Sequence, residues 1–165
     1  MILIRMIINE EEAKYVVEIH WRIYTSEFQY DRSFIEFFTE PILSFARKLD
    51  PGKENIWILE VDRKPKGTIS IMKIDEETAQ LRWFAIEAEE RNKGYGKQLI
   101  EQAIQFCRDH HYKRIILWTN PILSAARELY RKAGFDIIQT RERVLLNNSI
   151  QEEKWELVNF ADNKI

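Results

Sequence analysis

The stretch Arg91-Asn92-Lys93-Gly94-Tyr95-Gly96-Lys97 decides the reading of this chain. Two of only five glycines stand two residues apart here. An apolar run lies just before them. Leu99, Ile100, Ala103, Ile104 and Cys107 follow at helical spacing. Glycine permits close backbone approach and unusual φ/ψ. A helix that starts at such a turn points its first N–H groups at one spot, and its macrodipole favours an anion there. Arg91, Lys93 and Lys97 add positive charge. A diphosphate needs these features, although a plain tight strand-to-helix turn explains them as well. The dinucleotide-binding pattern wants a further glycine where Leu99 stands. The P-loop pattern wants glycine at Arg91 and Ser or Thr at Gln98. Both patterns fail.

Working outward, residues 78–85 read as the strand before the turn, and residues 114–118 as a nearly continuous apolar strand suited to a sheet centre. Residues 56–61 and 68–72 flank the turn signal at 62–67, which makes a hairpin. A helix is expected over about 122–132, closed by Gly134. Residues 136–146 and 153–158 form a closing antiparallel pair. At the other end, residues 1–8 read as a first strand. Asn9 then caps a helix, with Glu12 at the capping-box position. A second helix opens near Ser33 with Glu36 at its box position. It carries Phe34, Phe37, Phe38, Ile42 and Phe45, and Pro41 kinks or divides it. The order β-α-α-β-β-β-α-β-α-β-β is mixed α/β.

With 165 residues, one domain over 1–165 is expected. Hydrophobic residues at 45% and charged residues at 32% exclude a disordered chain. The net charge of -2 argues against a phosphate-neutralising nucleic-acid binder. One cysteine, Cys107, allows neither an intrachain disulfide nor a Cys-based zinc site. His20, His110 and His111 offer no metal-ligand spacing beyond an adjacent pair. No apolar run reaches the ~20 residues of a membrane span, and the start is too short for a signal peptide. The expectation is a cytoplasmic protein with no membrane and no nucleic-acid partner.

After the strand at 114–118 comes Asn120-Pro121-Ile122-Leu123-Ser124-Ala125-Ala126-Arg127-Glu128-Leu129-Tyr130-Arg131-Lys132-Ala133-Gly134-Phe135. Strand, Arg-x-x-Gly-x-Gly, helix, strand, then Ala-x-x-Leu-Tyr-x-x-x-Gly-Phe resembles the GNAT acetyltransferase family. The resemblance is tight over about 81–135 and extends by element order over the whole chain. Leu81-Arg82-Trp83-Phe84, Leu117-Trp118-Thr119-Asn120 and Lys154-Trp155-Glu156-Leu157 look more closely like the acetyltransferase half of fused winged-helix/acetyltransferase regulators. No separate DNA-binding domain fits in the chain.

The resemblance implies a central, mostly antiparallel twisted sheet of six or seven strands with four helices, its fourth and fifth strands splayed. It implies an N-acetyltransferase that moves an acetyl group from acetyl-CoA, as co-substrate and without a metal, to an amine acceptor by direct attack in a ternary complex. A non-catalytic acyl-CoA-binding regulatory module is the alternative. By match, the N–H of Phe84 polarises the acetyl carbonyl, as an oxyanion hole does. Phe84, Ala85 and Ile86 line the cofactor, with Ile86 pairing with the pantetheine arm. Arg91, Asn92, Lys93, Gly94, Tyr95 and Gly96 hold the pyrophosphate through main-chain N–H groups, with Lys97 nearby. Tyr130 matches the tyrosine that protonates the departing thiolate. Core packing is the plain reading of Phe84, Ile86 and Tyr130.

Three departures stand out. Ala88 replaces a common proline, Asn92 a common glycine, and Leu123 an asparagine. Asn92 tolerates the left-handed region, so the turn survives. Asn120 lies three residues before Leu123, where capping the helix is a sufficient task, with cofactor contact as the second reading. The general base is open: Gln80 stands where the histone-modifying branch has glutamate, and Glu27 or Glu87 could act through water. Cys107 on an apolar helix face reads as a buried thiol. The rings from Trp21 to Phe45 read mainly as helix packing, secondarily as an acceptor pocket. Glu27, Asp31, Glu36 and Glu40 either attract a basic amine or form a solvated face. A homodimer through the C-terminal strands would use Tyr112, Trp118 and Trp155.

Overall fold

The computed structural model describes residues 1–7, 9–145 and 148–160, so Ile8 and Leu146 of the expected strands lie outside it, as does the Phe34 side chain. Seven strands form one sheet in the order β1-β2-β3-β4-β5-β7-β6. They are β1 (Ile2–Met6), β2 (Asn55–Val61), β3 (Lys64–Lys73), β4 (Thr78–Ile86), β5 (Arg114–Thr119), β6 (Asp136–Leu145) and β7 (Asn148–Val158). Among the described strands only β4 and β5 run parallel, and their pairing covers just Thr78, Ala79 and Gln80 against Arg114, Ile115 and Ile116. Beyond Gln80 the two strands part, as the resemblance implied.

Five helical segments accompany the sheet: α1 (Ala13–Ser26), α2 (Arg32–Glu36), α3 (Thr39–Lys48), α4 (Tyr95–Asp109) and α5 (Ser124–Ala133). The expected second helix is divided. Pro41 sits in the first turn of α3, where no intrahelical N–H is required. Asn9 does accept from the Glu12 amide, at 3.3 Å, but it caps a single 3₁₀ turn at Glu10–Glu12 that leads into α1. The α4 face emerges as read: Leu99, Ile100, Ala103, Ile104 and Cys107 are buried, in one core with Leu59, Ile69, Ile71, Ile115, Leu117 and Phe135. On the other face α1 and α3 bury Val16, Ile42 and Phe45 against Ile56.

Two expectations about turns need correction. The β2–β3 turn is two residues, Asp62 and Arg63, both left-handed at φ 51° and 69°. That conformation matches the right-handed twist of a hairpin, so pairing resumes at Lys64. Pro65 therefore lies in the strand, beside a register shift that absorbs Lys66. Asn120 does not cap α5, which starts at Ser124. Its side chain accepts from the Ile122 amide at 3.0 Å and closes a local turn over Pro121.

Two of the three residues named for a homodimer contact are not at the surface. Tyr112 and Trp155 are fully buried, and the Tyr112 hydroxyl donates to the Lys53 carbonyl at 2.7 Å. Neither offers a face to a second copy.

Candidate active site

The parting of β4 from β5 leaves a cleft of about 390 Å³. Its position follows from one irregularity. Ser70 pairs with Arg82 and Thr68 with Ala85, so β4 spends one residue more than β3. The extra residue is taken up at Trp83, whose φ is 49°, a left-handed value rare for a bulky side chain. Trp83 and Phe84 have no register partner on β3, and β5 has already diverged. This segment of β4 therefore lies outside the regular ladder on both sides. Phe84 and Tyr130 both line the cleft, with their rings 6.0 Å apart.

Tyr130 sits on α5 among Phe84, Phe135 and Trp155. It is buried, and burial pushes its phenol well above the usual range. It is therefore a neutral O–H at any working pH, able to give a proton and not to supply a charge. Asn120 also lines the cleft and donates to the Tyr30 hydroxyl at 3.3 Å.

The glycine turn opens α4 some residues along. Gly94 is left-handed at φ 85°, and Asn92 at φ 62°. Gly96 is needed for close approach: a Cβ there would meet Leu129 Cδ1 at 2.7 Å, Ile86 Cδ1 at 3.3 Å and Phe84 Cζ at 3.4 Å. The first amide bond into the helix is Gln98 N–H to the Gly94 carbonyl, at 3.2 Å. Among the described residues, none of the consecutive amides at positions 92–97 donates to a protein acceptor. That row of free N–H groups at a helix start fits a pyrophosphate.

The cations of the turn are less free than the sequence suggested. The Arg91 guanidinium forks onto Glu27, with Nη2 2.8 Å from Oε2, and its Nε donates to the Ile86 carbonyl at 3.0 Å. Its side chain ties the end of α1 to the turn. Lys93 pairs with Glu90 at 3.1 Å, while Lys97 is exposed and 3.9 Å from Glu101. Tyr95 packs against the main core, and Ala85 faces Ile19 and Ile23 of α1.

The open question of the base narrows. Glu27 is held by Arg91, and Glu87 by Arg22 and by the Tyr15 hydroxyl at 3.1 Å. Neither lines the cleft, whereas Gln80 does. Of the acidic residues read as either drawing a basic amine or forming a solvated face, Glu36 pairs with Arg32 and Glu40 with Arg47, both at the exposed surface. The aromatic segment divides between its two readings. Tyr24, Tyr30 and Phe38 line the cleft, Phe45 packs on Trp83, and Trp21 and Phe37 are exposed.

Sequence reasoning missed His20, which also lines the cleft. Its Nδ1 lies 2.7 Å from the Val16 carbonyl, so the proton is on Nδ1 and the Nε2 lone pair is left over. Burial lowers its pKa to about 4, so the ring is neutral at pH 7. No sequence pattern marks it, because a single histidine on an amphipathic helix looks the same in a core. Among the described residues, no three His, Cys, Asp or Glu side chains gather as a metal site. No described helix is long and apolar enough to cross a membrane.

Comparison with known proteins assigns the class. The profile of the Acetyltransferase (GNAT) family matches residues 13–135, and this chain belongs to that family. Human N-acetyltransferase 8B is 32% identical over 84 residues, 48% of this chain and 37% of that protein. N-acetylaspartate synthetase of Xenopus tropicalis is 29% identical over 80 residues, 48% of this chain and 30% of that protein. The matched segment thus spans well under half the length of these relatives. Among solved structures, a putative acetyltransferase from Salmonella typhimurium with its cofactor acetyl-CoA superposes with a TM-score of 0.76 at 13% identity, covering 100% of this chain and 96% of that one. An acetyltransferase from Streptococcus agalactiae gives 0.77 at 21% identity, covering 95% and 98%. These two likenesses speak for the fold.

Proposed function

We propose that this chain catalyses transfer of an acetyl group from acetyl-CoA to an amine, by direct attack while both substrates are bound. The observation that carries the reading is the bulge at Trp83 in a strand that has already parted from β5. It leaves the Phe84 N–H beside a cleft floored by Tyr130. In this reading the amides at 92–97 hold the pyrophosphate, and Gly94 and Gly96 let the backbone approach it. Phe84, Ala85 and Ile86 flank the pantetheine, with Asn120 and Lys97 at the margins. The Ile86 carbonyl already accepts from Arg91. The Phe84 N–H faces the charge that develops on the acetyl oxygen, a fixed dipole needing no reorganisation. The amine nitrogen forms the new bond to the acetyl carbon as the carbon–sulfur bond breaks. Tyr130 gives its proton to the departing sulfur, and the acetylated nitrogen sheds its surplus proton to solvent in the cleft, from which Tyr130 is reprotonated.

Gln80 and the two committed glutamates favour an acceptor that arrives already neutral. They also keep a second reading in view, a non-catalytic acyl-CoA-binding module. The kinship with winged-helix/acetyltransferase regulators belongs to this proposal as well, resting on the three segments that suggested it. The decisive experiment pairs acetyl-CoA binding with turnover across an amine panel, in wild type and Tyr130→Phe. A fall in kcat of roughly 10²-fold or more, with acetyl-CoA still bound, is expected of the acid. Binding of acetyl-CoA with no turnover of any amine by wild type would favour the module. No binding at all would remove the basis of both readings.

A further inference from the structure

The charges that line the cleft point to the chemical class of acceptor. Arg82, Arg141 and Arg143 face it, against a single carboxylate, Glu152. His20 is neutral and the tyrosines Tyr24, Tyr30 and Tyr130 are uncharged at pH 7. Glu152 is shared between Arg141, at 3.0 Å, and Arg143, at 3.6 Å. An excess of two positive charges therefore surrounds the place where an acceptor must enter.

Arg82 stands apart from the other two. Alternation along a regular strand would send Arg82 and Trp83 to opposite faces. The bulge sends both to the α1–α3 side, where Trp83 packs against Val16, Ile42, Phe45 and Ile56. The Arg82 guanidinium lies over the Trp83 ring, 4.4 Å from its centre. Among the described residues its one hydrogen-bond partner is the Met72 sulfur, 3.7 Å from Nη1, a weak acceptor. No carboxylate among the described residues meets it, and burial disfavours its charge. A half-buried guanidinium with one face on an indole and its donor edge unmatched is an incomplete pair. Its natural complement is a planar, two-oxygen anion.

We infer that the acceptor is a primary amine that carries a carboxylate, as an amino acid does, and that Arg82 binds that carboxylate. The inference rests on the acetyltransferase reading of the same cleft and names its substrate class. It excludes polyamines, whose several ammonium groups would meet like charge throughout. It also accounts for the missing base. A positive surround disfavours the ammonium form of the acceptor, lowering its pKa toward the working pH. With the acceptor carboxylate on Arg82, the amine is left to turn toward the bulge.

The test uses matched acceptors: the twenty amino acids, each with its carboxamide and its decarboxylated amine, plus spermidine. CoA release is followed for wild type, Arg82→Gln and Arg82→Lys. The expected result is a preference for the acid over its amide of at least roughly tenfold in kcat/KM, expressed mainly in KM. Arg82→Gln collapses that ratio toward one. Arg82→Lys restores part of it, because a point charge replaces a fork. Acetylation of amides, decarboxylated amines or spermidine in preference to acids would overturn the inference and leave the acetyltransferase reading standing. Should no compound turn over, acid binding to the CoA-saturated protein is measured by ligand-observed NMR. Binding that Arg82→Gln abolishes supports the carboxylate site even though the catalytic reading has failed, and no acid binding overturns both.

Discussion

Replacing Gly96 by alanine tests whether the turn is held by the packing of α4 on α5. The new Cβ would lie 2.7 Å from Leu129 Cδ1, about an ångström inside ordinary carbon contact. Ile86 Cδ1 at 3.3 Å and Phe84 Cζ at 3.4 Å leave no room on the other side. Overpacking of this kind costs ~1–3 kcal/mol. Gaining alanine in a helix returns at most ~1 kcal/mol, and less this near the N-terminus. The Leu129 methyl is the end of a half-buried side chain and can swing, which favours the lower end. We expect a net loss of ~1 kcal/mol, or roughly 2–4 °C in Tm for a domain of this size. The clash should disappear in a Leu129→Ala background, where Gly96→Ala becomes neutral or mildly stabilising. A double-mutant cycle by urea denaturation should thus show coupling of ~1 kcal/mol or more. If Gly96→Ala costs the same with and without Leu129, glycine is not there for the contact with α5, and the reasoning is wrong.

Three further outcomes follow from the same structure. His20, with its pKa lowered to about 4, keeps the native state unprotonated between about 6.5 and 4 while the unfolded chain takes up a proton. Its contribution is therefore complete above pH 6.5 and lost progressively as the pH falls to 4, by up to ~3 kcal/mol. Urea midpoints measured against pH for wild type and His20→Gln should diverge in that window, and parallel curves would contradict it. Cys107 is fully buried, and burial pushes its thiol well above the usual range. Native protein should resist thiol reagents and Cys107→Ala should still transfer acetyl groups, whereas a trapped acetyl-Cys107 would end the direct-attack scheme. Arg91→Gln removes the fork to Glu27 and the bond to the Ile86 carbonyl. For a pair about one-third exposed we expect ~1 kcal/mol of lost stability and a several-fold weaker Kd for acetyl-CoA as the turn loosens. An unchanged Kd would show that the turn holds its shape without this tie.

What could be read from residues alone was whatever depends on near neighbours in the chain. The buried face of α4 follows from helical spacing, and the left-handed Gly94 and Asn92 follow from residue type. The parting of β4 and β5 came only through the family resemblance. The bulge at Trp83 is an offset between β3 and β4, a relation between two segments that no single strand records. That offset decides which side Arg82 faces, so the charge of the cleft was invisible as well. Tyr112 and Trp155 show the same limit from the other direction. Each is an aromatic with a polar handle, at home on a surface or in a core, and here tertiary packing sets both inside. Asn120 reads as a helix cap on residue type, but the helix starts at Ser124, and the Asn120 side chain closes a smaller turn.

The strand order β5-β7-β6 has a consequence for how the molecule is made. β7, drawn from residues 148–158, lies between two strands synthesised before it. Until it emerges from the ribosome, β5 presents the side opposite β4 as a bare edge, and β6 has no neighbour to join. The wall of the cleft that carries Arg141, Arg143 and Glu152 is therefore the last part of this sheet to be assembled. A nascent chain through Thr119 contains every strand from β1 to β5, together with α4. During that interval the unpaired N–H and C=O groups along Arg114–Thr119 are an adhesive strip, and holding chaperones or slow neighbours on the polysome would find them there.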